Sequence, residues 1–329
     1  MRRRAFITLL GGAAALAGHP LAAQAQQERV RRIGVLINIT EDDPQLQAGL
    51  SEFRQALGRL GWPEGRFRID TRFAAANFEQ LPLLAKELVD LQPDVILVQT
   101  TPAVTALQKQ TRTIPTVFIY VSDPMGSGFV ASLARPGGNL TGLLLYEEGI
   151  VGKWLGMLKE IAPRTERVAF ISNPKTATYA YFLKAAEAAA RLLAVEIEPS
   201  PVETSADIER TIESFARLPN GGLFFPPNVT SSTHRGLIIE LAARYRLPAV
   251  YAFRTFTAEG GLMSYGVDEI DLFARAATFV DRILRGEKAG ELPVQAPTKY
   301  TTVVNLKAAK ALGLTVPSGL LVGADEVIE

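Results

Sequence analysis

The chain has 329 residues, no cysteine, two histidines and an even charge balance, with 35 Lys and Arg against 34 Asp and Glu. Lack of cysteine excludes disulfides, thiolate catalysis, iron–sulfur clusters and a lipid-modified cysteine at a cleavage site. The net charge of +1 gives no electrostatic reason to bind nucleic acid or an anionic surface, and the length suffices for two lobes with full cores.

The N-terminus reads as an export signal. Arg2-Arg3-Arg4 precedes an apolar stretch over residues 9–17, and Ala23-Gln24-Ala25 has the small-x-small pattern that a signal peptidase accepts. The stretch is too short for ~30 Å of hydrocarbon, so residues 1–25 are expected to be cleaved near Ala25, leaving a mature chain with no membrane insertion. Arg3-Arg4-x-Phe6-Ile7 also fits a twin-arginine signal, the alternative being the general secretion route.

After the leader, strands and helices alternate. Residues 32–38 form a β-branched run ending in a polar residue, as in a buried parallel strand. Asp43-Pro44 then supplies an N-cap and a first-turn proline, and Leu46, Leu50, Phe53 and Leu57 repeat at helical spacing before Gly61. Strand 67–73, helix 81–91, strand 94–98, helix 102–109 and strand 116–120 follow, the pattern of a doubly wound parallel sheet.

The second half replays this unit about 130 residues on. Arg167 to Asn173 mirrors Arg32 to Asn38, Pro219 to Phe225 stands where Pro93 to Val98 stood, and Leu247 to Tyr251 mirrors Ile114 to Phe118. A helix over 270–284 and a strand over 299–304 are surplus to the second lobe and are expected to return to the first. The expected organisation is therefore lobe one over 28–142 plus 268–303 and lobe two over 143–267. The tail 304–329 is unassigned, and the lobes are joined by a hinge of strands near 139–144, 266–267 and 301–304.

Catalytic readings fail on the residues. Gly137 and Gly142 have P-loop spacing, but Leu143 and Leu144 stand where Lys and Ser/Thr would hold phosphate and Mg²⁺. No dinucleotide fingerprint, nucleophile elbow or zinc-protease motif occurs. His234, the only histidine beyond the leader, reads as a helix-start residue rather than a triad base. No catalytic residue, metal ligand or cofactor is therefore expected.

A binding cleft remains. Ligands of parallel α/β sheets lie outside the carboxyl ends of the strands. Those ends carry Asn38, Thr40, Thr100, Thr101, Ser122 and Asp123 in the first half, and Asn173, Asn228, Phe253 and Tyr265 in the second. Thr100-Thr101-Pro102 can present hydroxyls and free helix amides to a ligand carboxylate, or Thr101 can simply cap its helix. Asp123 can hold an ammonium or shape a turn. The asparagines can donate to a ligand or serve ordinary turns, and Arg254 is either an anion partner or a solvated charge. Tyr120, Phe253 and Tyr265 can sandwich an aromatic group or belong to the core. Together they suit a small zwitterion or carboxylate.

Four segments carry a family resemblance: residues 3–13, 133–142 (Leu-Ala-Arg-Pro-Gly-Gly-Asn-Leu-Thr-Gly), 260–266 (Gly-Gly-Leu-Met-Ser-Tyr-Gly) and 305–317. The chain resembles the bacterial ABC-transporter substrate-binding family that includes tryptophan/tyrosine-binding proteins. The resemblance implies the type I periplasmic-binding-protein fold, a periplasmic location and a monomer that captures a small molecule. It also implies delivery to an ABC permease and its ATPase. A sensor module or a hydrolase using the same cleft are the competing readings.

Overall fold

The computed structural model describes residues 29–147, 149–176 and 178–329. The expected signal peptide, its twin-arginine pair and its cleavage point lie outside the described residues. Among the described residues, no helix is long and apolar enough to cross a membrane.

The first unit runs β1 (Arg31–Ile37), α1 (Pro44–Arg59), β2 (Phe67–Phe73), α2 (Leu81–Asp90), β3 (Val95–Gln99), α3 (Thr101–Gln110), β4 (Thr116–Val121) and β5 (Leu140–Leu144). The five strands form a parallel sheet in the order β2-β1-β3-β4-β5. The expected α1 start is present: Asp43 Oδ1 accepts the Leu46 amide at 2.9 Å, and Leu46, Leu50, Phe53 and Leu57 are buried. β3 and β4 are buried along their whole length, as strands covered by helices on both faces must be.

The second unit begins with α4 (Ile150–Ile161). It continues through β6 (Arg167–Ser172), α5 (Tyr179–Leu193), β7 (Glu196–Pro201), α6 (Ser205–Phe215) and β8 (Gly221–Phe225). α7 (Val229–Thr233), α8 (Arg235–Arg244), β9 (Ala249–Tyr251), α9 (Arg254–Ala258) and β10 (Met263–Val267) complete it. Its strands run β7-β6-β8-β9-β10, the first sheet's order repeated strand for strand. The repeated sequence pattern is therefore a repeated topology.

α10 (Glu269–Leu284) then crosses back and packs on α1, where a side chain at Gly49 would come within 2.4 Å of the Phe273 ring. The Trp62 indole donates to Asp281 at 2.8 Å across the same contact.

The last strand corrects one expectation. β11 (Tyr300–Asn305), placed by sequence in lobe one, lies in the second sheet, antiparallel to β10. After α11 (Leu306–Ala311) and α12 (Ser318–Val322), β12 (Glu326–Ile328) pairs with β11, so the tail also joins lobe two. The physical reason is edge satisfaction. The open side of β5 is met by the returning chain at Gln295, whose amide donates to Gly142 and whose carbonyl accepts from Leu144. The open edge of β10 takes β11.

Three crossings thus join the lobes, between β5 and α4, at 268 and along 292–299, the third lying before the 301–304 expected from sequence, which belongs to β11. Tyr146 locks the first two together. It is fully buried, its hydroxyl donates to the Ala252 carbonyl and accepts from the Val267 amide at 3.3 Å, and Trp154 packs edge-on at 4.9 Å.

Candidate functional site

The carboxyl ends of both sheets face a shared cavity of about 210 Å³. Lobe one contributes Thr40, Asp43, Thr100, Thr101, Tyr120, Ser122 and Glu269, and lobe two contributes Asn228, Ser232, Arg235 and Phe253.

The lobe-one wall is strained. Of eight non-glycine residues with positive φ among the described residues, four line the cavity: Ala75, Ala76, Thr100 and Tyr120. At φ 80° and ψ 148° the β-branched Thr100 occupies a region that costs on the order of 1–3 kcal/mol. Tyr120, at φ 59°, sits in a register shift of β4 against β5. Gly142 permits that irregularity, since its φ is 155° and a side chain there would come within 2.0 Å of the Phe118 carbonyl. The bulge re-aims the Tyr120 side chain, whose hydroxyl donates to Glu269 Oε1 at 2.6 Å.

Thr100, not Thr101, stands at the N-cap position of α3, and no side chain caps the first turn. The Thr100 hydroxyl is buried with no partner. Amides left open at a helix start favour an anion, so plain capping does not account for this pair of threonines.

Charge on the wall comes from three residues. Burial, the largest cause, raises the Glu269 carboxyl to about 7; the Tyr120 hydroxyl and Arg235 oppose it, and Asp43 and Asp268 add to it. Burial also pushes the Tyr120 hydroxyl well above its ordinary value. Arg235 Nε pairs with Glu259 at 2.7 Å, and Arg235 Nη1 lies 3.8 Å from Asp43, an ion pair that links the lobes. The Tyr120 and Phe253 rings stack across the lobes with centroids 6.4 Å apart. Their separation is that of a single ring pair and leaves no space for a third ring between them.

A family model described as ABC transporter substrate binding protein matches residues 32–328. The chain belongs to this family. Its members are binding proteins. Among proteins similar to the chain is a tyrosine-binding protein of Clostridioides difficile, 23% identical over 274 residues, which cover 83% of this chain and 79% of that protein. A conserved domain protein from Vibrio cholerae superposes with a TM-score of 0.85 at 26% identity, covering 91% of this chain and 100% of that one. An ABC domain from Streptococcus pneumonia, solved in complex with L-Trp, gives 0.85 at 22% identity, covering 91% and 99%. The two-lobed α/β architecture is that of type I periplasmic binding proteins.

Within this substrate-binding chain the expected site residues divide. Thr40, Thr100, Thr101, Ser122, Asn228 and Phe253 line the cavity. Asn228 does so with its amide committed to the fold, accepting from the Thr230 amide at 2.9 Å and donating to Ser172 Oγ at 3.3 Å.

Four residues lie elsewhere. Asp123 shapes a turn, its Oδ1 accepting the Gly126 amide at 2.8 Å. Asn38 is fully buried below the strand end, outside the cavity lining, with both amide atoms unpartnered. Asn173 donates to Thr230 Oγ1 at 3.0 Å and lines a neighbouring cavity beside Lys175 and Thr105. Tyr265 stacks on Tyr300 at 5.4 Å, because the β10–β11 pairing brings those rings together. Arg254 makes a two-pronged pair with Glu326 at 2.6 and 2.7 Å, a tail contact rather than an anion site. Sequence reasoning missed Glu269, which reads as one of three acids at an ordinary helix start.

Proposed function

We propose that the chain is the extracytoplasmic receptor of an ABC importer and that it captures a small amino-acid-like or aromatic carboxylate in the cavity between its lobes. The observation that carries this reading is the α3 entrance: an uncapped helix start, a strained Thr100 and a buried hydroxyl without a partner, all on the cavity wall. A ligand carboxylate supplies what each group lacks, accepting from the Thr100 hydroxyl and the first-turn amides. Ser122 and Thr40 offer further hydroxyls, and Phe253 gives an aromatic or apolar group a surface to lie against. The tyrosine named in one relative and the L-Trp bound to another point to the same chemical class.

In this reading ligand capture draws the lobes together about the three crossings, and the closed form is presented to a permease and its ATPase. The leader directs export, with cleavage near Ala25 and twin-arginine character from Arg3-Arg4. The mature chain works as a monomer, and no step of chemistry on the ligand is required.

Titrating the mature protein with the twenty amino acids and their deaminated aromatic counterparts tests this. A bound ligand at a hundredfold excess over its Kd stabilises by ~2.7 kcal/mol, a clear rise in Tm. The Thr100→Val variant should lose most of that rise. Absence of a shift across the whole set would reject the ligand class.

A further inference from the structure

Asp43, Arg235 and Glu269 are the charged side chains on the cavity wall. Asp43 faces Arg235 and caps α1, and Arg235 is held by Glu259. Glu269 has the Tyr120 hydroxyl as its partner and no ion pair among the described residues. A half-buried carboxyl without a cation is costly in its charged form, and its open side is the cavity. Thr100, Thr101 and Glu269 line the same cavity, and β4 connects them. Thr100 donates its amide to the Ile119 carbonyl at 3.0 Å, Tyr120 follows Ile119, and Tyr120 holds Glu269.

We propose that Glu269 is the specificity-determining residue of this cavity, the group that requires the ligand to carry a protonated amine beside its carboxylate. The proposal rests on reading the cavity as the ligand site and deepens it. Lobe one then holds both ends of an α-amino acid headgroup, the carboxylate at Thr100 and Thr101 and the ammonium at Glu269. Lobe two closes over the side chain with Phe253.

A pH signature follows. The groups facing Glu269 are Tyr120 from β4, Asp43 from the start of α1, Arg235 from α8, Tyr146 from the first crossing and Asp268 beside it in sequence. The two tyrosines stay neutral across the working range, and burial is the cause in both. With its carboxyl raised to about 7, Glu269 is half protonated at neutral pH before binding. An arriving ammonium favours the carboxylate and expels that proton, so affinity falls about tenfold from pH 8 to pH 6. Removing the Tyr120 hydroxyl, which opposes the rise, moves the midpoint up. Removing the Asp43 charge, which adds to it, moves the midpoint down.

Calorimetry with L-tryptophan and indole-3-propionate, and with L-tyrosine and 3-(4-hydroxyphenyl)propionate, tests the proposal, since each pair differs by the amine alone. The expected result is at least tenfold preference for the amine-bearing member, a preference that shrinks severalfold in Glu269→Gln together with the pH dependence. Tyr120→Phe and Asp43→Asn keep the carboxyl and should shift the pH midpoint in opposite directions, which a folding defect would not do. Equal binding of both members by the parent protein would overturn the role of Glu269 and leave the cavity reading standing. Binding of neither member of either pair, together with no Tm shift from any of the other amino acids, would overturn both.

Discussion

Thr100 opposes folding twice over, through a backbone conformation disfavoured for a β-branched residue and through a buried hydroxyl with nothing to bond. An unsatisfied buried polar group costs about 1–3 kcal/mol. Thr100→Val keeps the shape and removes the orphan, so the ligand-free Tm should hold or rise by a few degrees while ligand stabilisation shrinks, both read in one thermal series. Glu269 gives a second prediction. Its carboxyl binds a proton more tightly folded than unfolded, so between pH 4.5 and about 7 the folded state carries more protons. Stability then falls as pH rises through that window, by about 2 kcal/mol once cavity solvent is allowed for, and urea titrations of Glu269→Gln should lack that slope. Thr100 was legible in sequence because hydroxyls before a proline at a strand end have a local meaning. Glu269 was not, because its place depends on Tyr120, a contact made only after the chain has built a second lobe and returned.

At the scale of elements, alternation of strand and helix and the near-repeat of three strand segments pointed to two parallel sheets of one topology, whereas β7 and the strand order that the two sheets share had no such signal. The final strand was misplaced because an antiparallel return has no sequence marker distinguishing it from a parallel one. Only the open edge of β10 selects it. Two lobe crossings follow the strands expected near 139–144 and 266–267, while the third precedes the expected 301–304, which lies within β11. Their lock was hidden, since Tyr146 follows β5 as one more apolar residue. Tyr146→Phe preserves the packing against Trp154 and strands the Ala252 carbonyl and the Val267 amide. The expected loss is about 1–3 kcal/mol, seen as a lower urea midpoint. Because the two groups sit on the second lobe and on the second crossing, amide exchange should quicken at both places and leave β3 protected.

For the whole molecule, the question is what holds the two lobes closed. The Asp43–Arg235 pair spans them at 3.8 Å, but both side chains keep some access to water, and Arg235 has a closer partner in Glu259. Pairs of this kind contribute about 0–1 kcal/mol, less than the ~2.7 kcal/mol a ligand supplies at a hundredfold excess over its Kd. The stacked Tyr120 and Phe253 rings add about 0.5–1.5 kcal/mol. Closure should therefore depend on the ligand more than on surface charge. Asp43→Asn retains an oxygen to cap α1 and removes the charge facing Arg235. At pH 8, where Glu269 is ionised in either protein, it should weaken ligand binding by less than about fivefold, whereas Thr100→Val, which touches the ligand in the proposed site, should weaken it by more. Calorimetry of the two variants beside the parent gives the comparison, and a larger loss in Asp43→Asn would make the ion pair the principal latch.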